Sequence, residues 1–251
     1  MKILVDDLVI NYNLSKAKKM VLLLHGWGDS SDGLRIIFDG LTEKGYGVLS
    51  LDLPGFGSSD NPKTAWGLTE YAKFVDEFLK KIKIMPFAVI GHSNGGAIAI
   101  KASSMGLIKP AKLILIASAG IRSNYNLRNK TIRLVAKSGK MLTQVLPRST
   151  RKKIQRLFYD KIGSDLLIKE DLVETFKKVV SEDLTSQARL VTADTLLIYG
   201  DKDMATPVSY GKIFENSIKG SRMLVLPDVG HFVHLDEPDR LIKEIVGFLN
   251  V

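Results

Sequence analysis

The chain has no cysteine among its 251 residues, which excludes a disulfide framework, a zinc-thiolate centre and a thiol nucleophile. It also lacks any apolar stretch approaching the roughly 20 residues that a membrane-crossing helix needs. Met1-Lys2-Ile3-Leu4-Val5 is interrupted by Asp6 and Asp7 before a signal peptide could form, so a cytoplasmic location is expected. No internal repeat or low-complexity tract is present. The 45% hydrophobic and 25% charged residues are ordinary globular values and exclude a disordered chain. The length allows one large domain, or a core with a modest insert.

Acidic residues are scarce in one place. Residues 121–180 carry 15 Lys and Arg against 5 Asp and Glu, which accounts for the whole formal net charge of +9 and leaves the rest of the chain near neutral. The same region has no run suited to a buried strand. Its apolar residues, such as Ile154-Leu157-Phe158 and Leu172-Val173-Phe176-Val179-Val180, recur at helical spacing. A helical, basic insert is therefore expected over 121–187, between core segments 1–120 and 188–251. Clustered Lys and Arg attract phosphates without regard to sequence. However, Arg151-Lys152-Lys153 has only Phe158 and Tyr159 near it as stacking surfaces, and a solvated helix face explains the charge; no nucleic-acid partner is expected, and binding to an anionic surface or nucleic acid through this insert is the alternative of a different class.

Outside that insert, short apolar runs alternate with helical patterns. Runs at 20–24, 48–51, 86–90, 111–117, 195–199 and 222–226 read as buried strands, and 31–44, 69–82, 95–105 and 238–249 read as helices. An antiparallel pair at 2–5 and 8–12, turning at Asp6-Asp7, precedes them. Strands alternating with helices imply a mostly parallel sheet covered on both faces.

Polar residues follow the strands. The run ending at Ile90 leads into Gly91-His92-Ser93-Asn94-Gly95-Gly96, a glycine-framed serine between a strand and a helix. A serine hydroxyl is a poor nucleophile until a turn exposes it and a base takes its proton. Two acids, Asp201 and Asp203, follow the run at 195–199, and two histidines, His231 and His234, follow the run at 222–226. Loops beyond the carboxyl ends of parallel strands face one crevice, so these residues can meet.

Together, His25-Gly26-x-Gly28, Asp52-x-Pro54-Gly55-x-Gly57-x-Ser59, Gly91-x-Ser93-x-Gly95-Gly96, Gly200-x-x-Asp203 and Gly230-His231 resemble the α/β-hydrolase fold family, in particular members with a helical cap after the sixth strand. The resemblance spans nearly the whole chain. It implies a twisted sheet of about eight strands, Ser93 as nucleophile, Asp203 as orienting acid and His231 as base. It also implies an oxyanion hole from the backbone N–H groups of Trp27 and Asn94. His25 and His92 would support the structure, and Asp201 and His234 are the rivals to Asp203 and His231. Serine at 93 argues against the dehalogenase and epoxide hydrolase branches, which use aspartate there. The expected reaction is cleavage of small to medium carboxylic esters through an acyl-enzyme, without cofactor or metal. Lactonase (including acyl-homoserine lactones), carbon-carbon hydrolase and aminopeptidase are the alternatives. Trp27, Asn94 and Met204 are candidate lining residues of an apolar pocket, and Arg122 or Asn94 could serve a dienolate.

Overall fold

Apolar runs of five residues suit strands buried on both faces, and they lie in one sheet in the computed structural model, which describes residues 1–122 and 170–251. The strands are β1 (Lys2–Val5), β2 (Leu8–Ser15), β3 (Met20–Leu24), β4 (Gly47–Leu51), β5 (Ala88–His92), β6 (Lys112–Ile116), β7 (Asp194–Gly200) and β8 (Arg222–Leu226). Their order across the sheet is β1-β2-β4-β3-β5-β6-β7-β8. The β1-β2 and β2-β4 pairs are antiparallel, and every other pair is parallel. Asp6 and Asp7, with φ of 47° and 62°, make the two-residue turn of the first hairpin. β5 begins two residues later than its apolar run suggests. Pro86 has no N–H for a ladder, whereas Gly91 and His92 continue it opposite Leu115 and Ile116.

The helices are α1 (Arg35–Glu43), α2 (Leu68–Ile82), α3 (Asn94–Ser104), α4 (Val173–Ser181), α5 (Thr185–Ala188), α6 (Val208–Ser217), α7 (Val233–Asp236) and α8 (Pro238–Leu249). The expected helix at 31–44 opens as a 3-10 turn, Ser31–Leu34, before α1 begins. Side chains along each strand alternate between two cores. Leu22, Leu24, Leu113, Leu115, Leu197 and Tyr199 pack with Tyr71, Phe78, Ile98 and Phe214 on one face. Val21, Leu23, Ile114, Ile116 and Ile198 pack with Ile37, Leu41, Leu241 and Ile245 on the other.

Residues 123–169 of the expected insert lie outside the described residues. Its last part is tied to the core by polar contacts. Thr175 Oγ1 accepts the Trp66 N–H at 3.1 Å, and Lys178 Nζ donates to Ala65 O at 2.8 Å. The Glu182 carboxylate accepts Leu68 N–H and Lys101 Nζ, each at 3.0 Å.

The chain leaves β3 toward β4 and then crosses back to β5, so the sheet reverses direction of growth between β3 and β5. Crevices for ligands open at such a point, beyond the carboxyl ends of the strands. Asp52, just past β4, holds that rim together. Its carboxylate accepts Ser31 N–H at 2.7 Å, Ser58 N–H at 2.8 Å and Asn11 Nδ2 at 3.0 Å. Burial pushes its pKa up, but these hydrogen bonds outweigh burial and hold it below the ordinary carboxylate value. Asp52→Ala is expected to cost about 2–4 kcal/mol, because it leaves buried donors without an acceptor. The stabilising effect of a depressed carboxylate is present above its unfolded pKa and is lost as pH falls through the folded one. Urea unfolding of both proteins from pH 7 down to acid should therefore show the difference shrinking.

Candidate active site

Between the end of β5 and the start of α3 only Ser93 remains, and its backbone has φ 51° and ψ −116°. An L-residue in such a region costs about 1–3 kcal/mol, so its surroundings must enforce it. Ser93 N–H donates to Ile116 O at 3.0 Å, and Ser93 O accepts N–H from Gly96 at 3.0 Å, Ala97 at 3.2 Å and Ala119 at 3.0 Å. The glycines permit the close crossing of strand and helix. A Cβ at Gly95 would sit 2.1 Å from Leu24 O, and one at Gly91 would sit 2.6 Å from the Gly95 backbone. Ser93 itself is partly exposed.

Asp203 follows β7 and His231 follows β8. Beyond β7, Asp201 is exposed, while Asp203 is 4% exposed. Asp203 Oδ1 accepts Ala205 N–H at 2.8 Å and Thr206 N–H at 2.9 Å. Its Oδ2 accepts His231 Nδ1–H at 2.8 Å and the Thr206 hydroxyl at 2.7 Å. Burial pushes the Asp203 carboxyl up, but His231 and the Thr206 donors more than compensate, so it is held below its ordinary value. With Nδ1 committed to the carboxylate, neutral His231 has its lone pair on Nε2. His231 is also fixed through its backbone: His92 Nε2–H, from the last residue of β5, donates to His231 O at 3.0 Å.

The loop after β3 has its own support. Leu53 N–H donates to His25 Nε2 at 2.9 Å, so His25 carries its proton on Nδ1, which faces Gly26 O at 2.8 Å. Burial lowers the His25 pKa and keeps the ring neutral. The Trp27 ring packs edge-on against Phe56 and Phe176, with centroids 4.9 and 5.1 Å away. The backbone N–H groups of Trp27 and Asn94 have no hydrogen-bond partner among the described residues. Asn94 is 3% exposed, and neither atom of its carboxamide has a partner among the described residues.

The rival residues fall elsewhere. His234, on α7, is buried with its ring 5.0 Å from that of His92, and its Nδ1 has no partner among the described residues. Burial lowers its pKa. Met204 is 57% exposed. Arg122 is exposed, its backbone N–H donating to Asp183 Oδ2 at 2.9 Å. Among the described residues no group of His, Asp and Glu is arranged to hold a metal ion, and no helix is long and apolar enough to cross a membrane.

A strained serine after one strand and an aspartate-histidine pair after two others match a known pattern along the chain. The model of the family described as serine aminopeptidase, S33, matches residues 15–239. The chain belongs to this S33 family. It is a hydrolase of the α/β fold. A 2-hydroxy-6-oxononadienedioate/2-hydroxy-6-oxononatrienedioate hydrolase of Escherichia coli K12 is 24% identical over 265 residues, spanning 96% of this chain and 90% of that protein. An esterase of Exiguobacterium antarcticum shares the fold with a TM-score of 0.78 at 23% identity, covering 100% of this chain and 99% of the other. Est816, described as an N-acyl homoserine lactone degrading enzyme, superposes with a TM-score of 0.77 at 20% identity, covering 99% and 100%. S33 membership and these neighbours agree with the eight-stranded, mostly parallel architecture expected from the sequence.

Thr206 and the His92 bond to His231 O escaped sequence reasoning. Thr206 precedes Pro207 and reads as an ordinary turn residue. No local signal tells that β6 ends beside it.

Proposed function

We propose that this S33-family chain hydrolyses carboxylic esters of small to medium acyl groups through Ser93, His231 and Asp203. The observation carrying this reading is the 2.8 Å bond from His231 Nδ1 to Asp203 Oδ2 beside the strained Ser93 turn. His231 Nε2 takes the Ser93 proton as Oγ attacks the carbonyl, and Asp203 holds the tautomer and stabilises the imidazolium. The Trp27 and Asn94 backbone N–H groups receive the oxyanion, each donor typically contributing on the order of 10²- to 10³-fold in rate. Partial positive charge at the start of α3 favours the same anion. His231 returns its proton to the leaving alcohol. Water then attacks the acyl-enzyme, with His231 again as base. No cofactor takes part. In this reading residues 121–187 form a cap over a core of 1–120 and 188–251, and the cap selects the acyl group. The protein acts on a small molecule in the cytoplasm.

Asn94 favours a second reading. A buried carboxamide with neither atom bonded among the described residues calls for a further polar partner, and a ligand can supply it. Its donor and acceptor suit substrates with polar atoms near the scissile bond, such as acyl-homoserine lactones or vinylogous diketones, more than plain alkyl esters. Initial rates should be measured on a panel of p-nitrophenyl esters, lactones and vinylogous diketones. Short esters are expected to give the highest kcat/KM. A preference above tenfold for either other class would replace the ester assignment.

A further inference from the structure

We propose that Thr206 is a positioning residue whose hydroxyl locks the acid-base pair to the frame that holds the nucleophile; this rests on the Ser93, His231 and Asp203 reading. Thr206 is 5% exposed, and its Oγ1 meets three groups. It lies 2.8 Å from Ala117 O, 2.7 Å from Asp203 Oδ2 and 3.1 Å from His231 Nδ1. A hydroxyl has one proton and two lone pairs. Since His231 Nδ1–H is committed to Asp203, the hydroxyl proton has two acceptors to choose between, the carboxylate and the Ala117 carbonyl.

That choice follows the charge on His231. While the imidazole is neutral, the carboxylate is the stronger acceptor and takes the hydroxyl proton. Once the imidazolium forms, its positive charge offsets that of the carboxylate, and the hydroxyl turns about one bond to Ala117 O.

The Ala117 end of this bridge is the nucleophile's own support. Ile116 O and Ala119 N, on either side of Ala117, are the groups that bind the Ser93 backbone. Ala117 N–H in turn donates to Ile198 O at 2.8 Å, and Ala117 has φ 46°, so this corner is rigidly specified. Thr206 thereby joins the carboxylate, the imidazole and the β6 corner in one side chain. The surrounding titratable groups come from several elements. Tyr199, on β7, donates to Ser118 O at 3.0 Å, and burial raises its phenol pKa. Tyr210 is on α6, and His92 and His234 face the base from β5 and α7, both lowered by burial. Asp29 and Asp236 lie beyond His234.

The test compares Thr206→Val, which keeps the shape without the hydroxyl, with Thr206→Ser, which keeps the hydroxyl. The pH dependence of kcat and KM is followed on a short p-nitrophenyl ester. Valine is expected to lower kcat about 10- to 100-fold with KM within about twofold. It also removes a proton donor from Oδ2, leaving more negative charge beside His231. The imidazolium is then favoured, and the acid limb of kcat/KM moves to higher pH. Serine is expected to restore kcat to within about threefold and to return the limb. A folded Thr206→Val protein with wild-type kcat and an unmoved limb overturns the proposal. Serine as impaired as valine overturns it too, because packing of the methyl group would then be the cause. If the valine protein does not fold, Thr206→Ala against Thr206→Ser decides by the same criteria. Ser93→Ala in parallel separates the layers: activity retained there removes the underlying triad, whereas loss there with normal Thr206→Val removes only this inference.

Discussion

Ser93→Ala is expected to lower kcat on a short p-nitrophenyl ester by about 10⁶-fold while leaving the unfolding midpoint nearly unchanged. The variant removes one oxygen and keeps the Cβ, so the backbone at φ 51° is no more strained than before. Among the described residues, every hydrogen bond that fixes Ser93 runs through its main chain, to Ile116, Gly96, Ala97 and Ala119. Loss of the hydroxyl therefore touches chemistry and not architecture. Steady-state rates with a circular dichroism melt check both halves. Activity within tenfold of wild type would eliminate Ser93 as nucleophile.

Asp203→Asn is expected to cost about 10⁴-fold in kcat, and Asp201→Asn less than about threefold. The reason is donor arithmetic at Asp203. Its two oxygens face four donors: two backbone N–H groups, the Thr206 hydroxyl and His231 Nδ1–H. An asparagine placed there has one oxygen and one NH₂. Its oxygen can satisfy the two backbone N–H groups, which turns the NH₂ toward His231. The imidazole answers by moving its proton to Nε2, and the base loses the lone pair that should face Ser93. Asp201 is exposed, so its amide changes little. Rates for the two variants on one ester give the comparison, and an equal or reversed loss would transfer the role to Asp201.

Much of this was written in the chain because parallel strands buried on both faces leave an unambiguous trace. Val21 to Leu24 and Leu196 to Tyr199 are apolar at successive positions since alternate residues of each strand enter opposite cores. Glycine spacing around Ser93 was legible for a similarly local reason, as Gly91 and Gly95 answer to backbone atoms that a Cβ would strike. α6 was harder to read. Its buried face is only Tyr210, Gly211 and Phe214, and Gly211 is there because Tyr199 and Met223 leave no room for a side chain. Glycine within ten residues of helix mimics a loop signal. Thr206 was beyond sequence reasoning altogether, since its partner Ala117 is 89 positions away. The choice between Asp201 and Asp203 likewise rested on motif spacing, since their difference in burial shows only in the fold.

In the proposed triad, His231 hangs from the rim of the sheet. β8 is the last strand in the order, with a neighbour on one side only, and of its five residues Leu226 alone is buried. Edge elements with little burial open locally at lower free energy than the centre of the same domain. The serine and the acid follow β5 and β7, each of which has neighbours on both sides. Fraying of β8 would thus disarm the protein while most of it stays folded, and repair would need only one strand to re-zip. With the proposed triad, the durability of the catalyst and the durability of the fold are separate quantities, set by different strands.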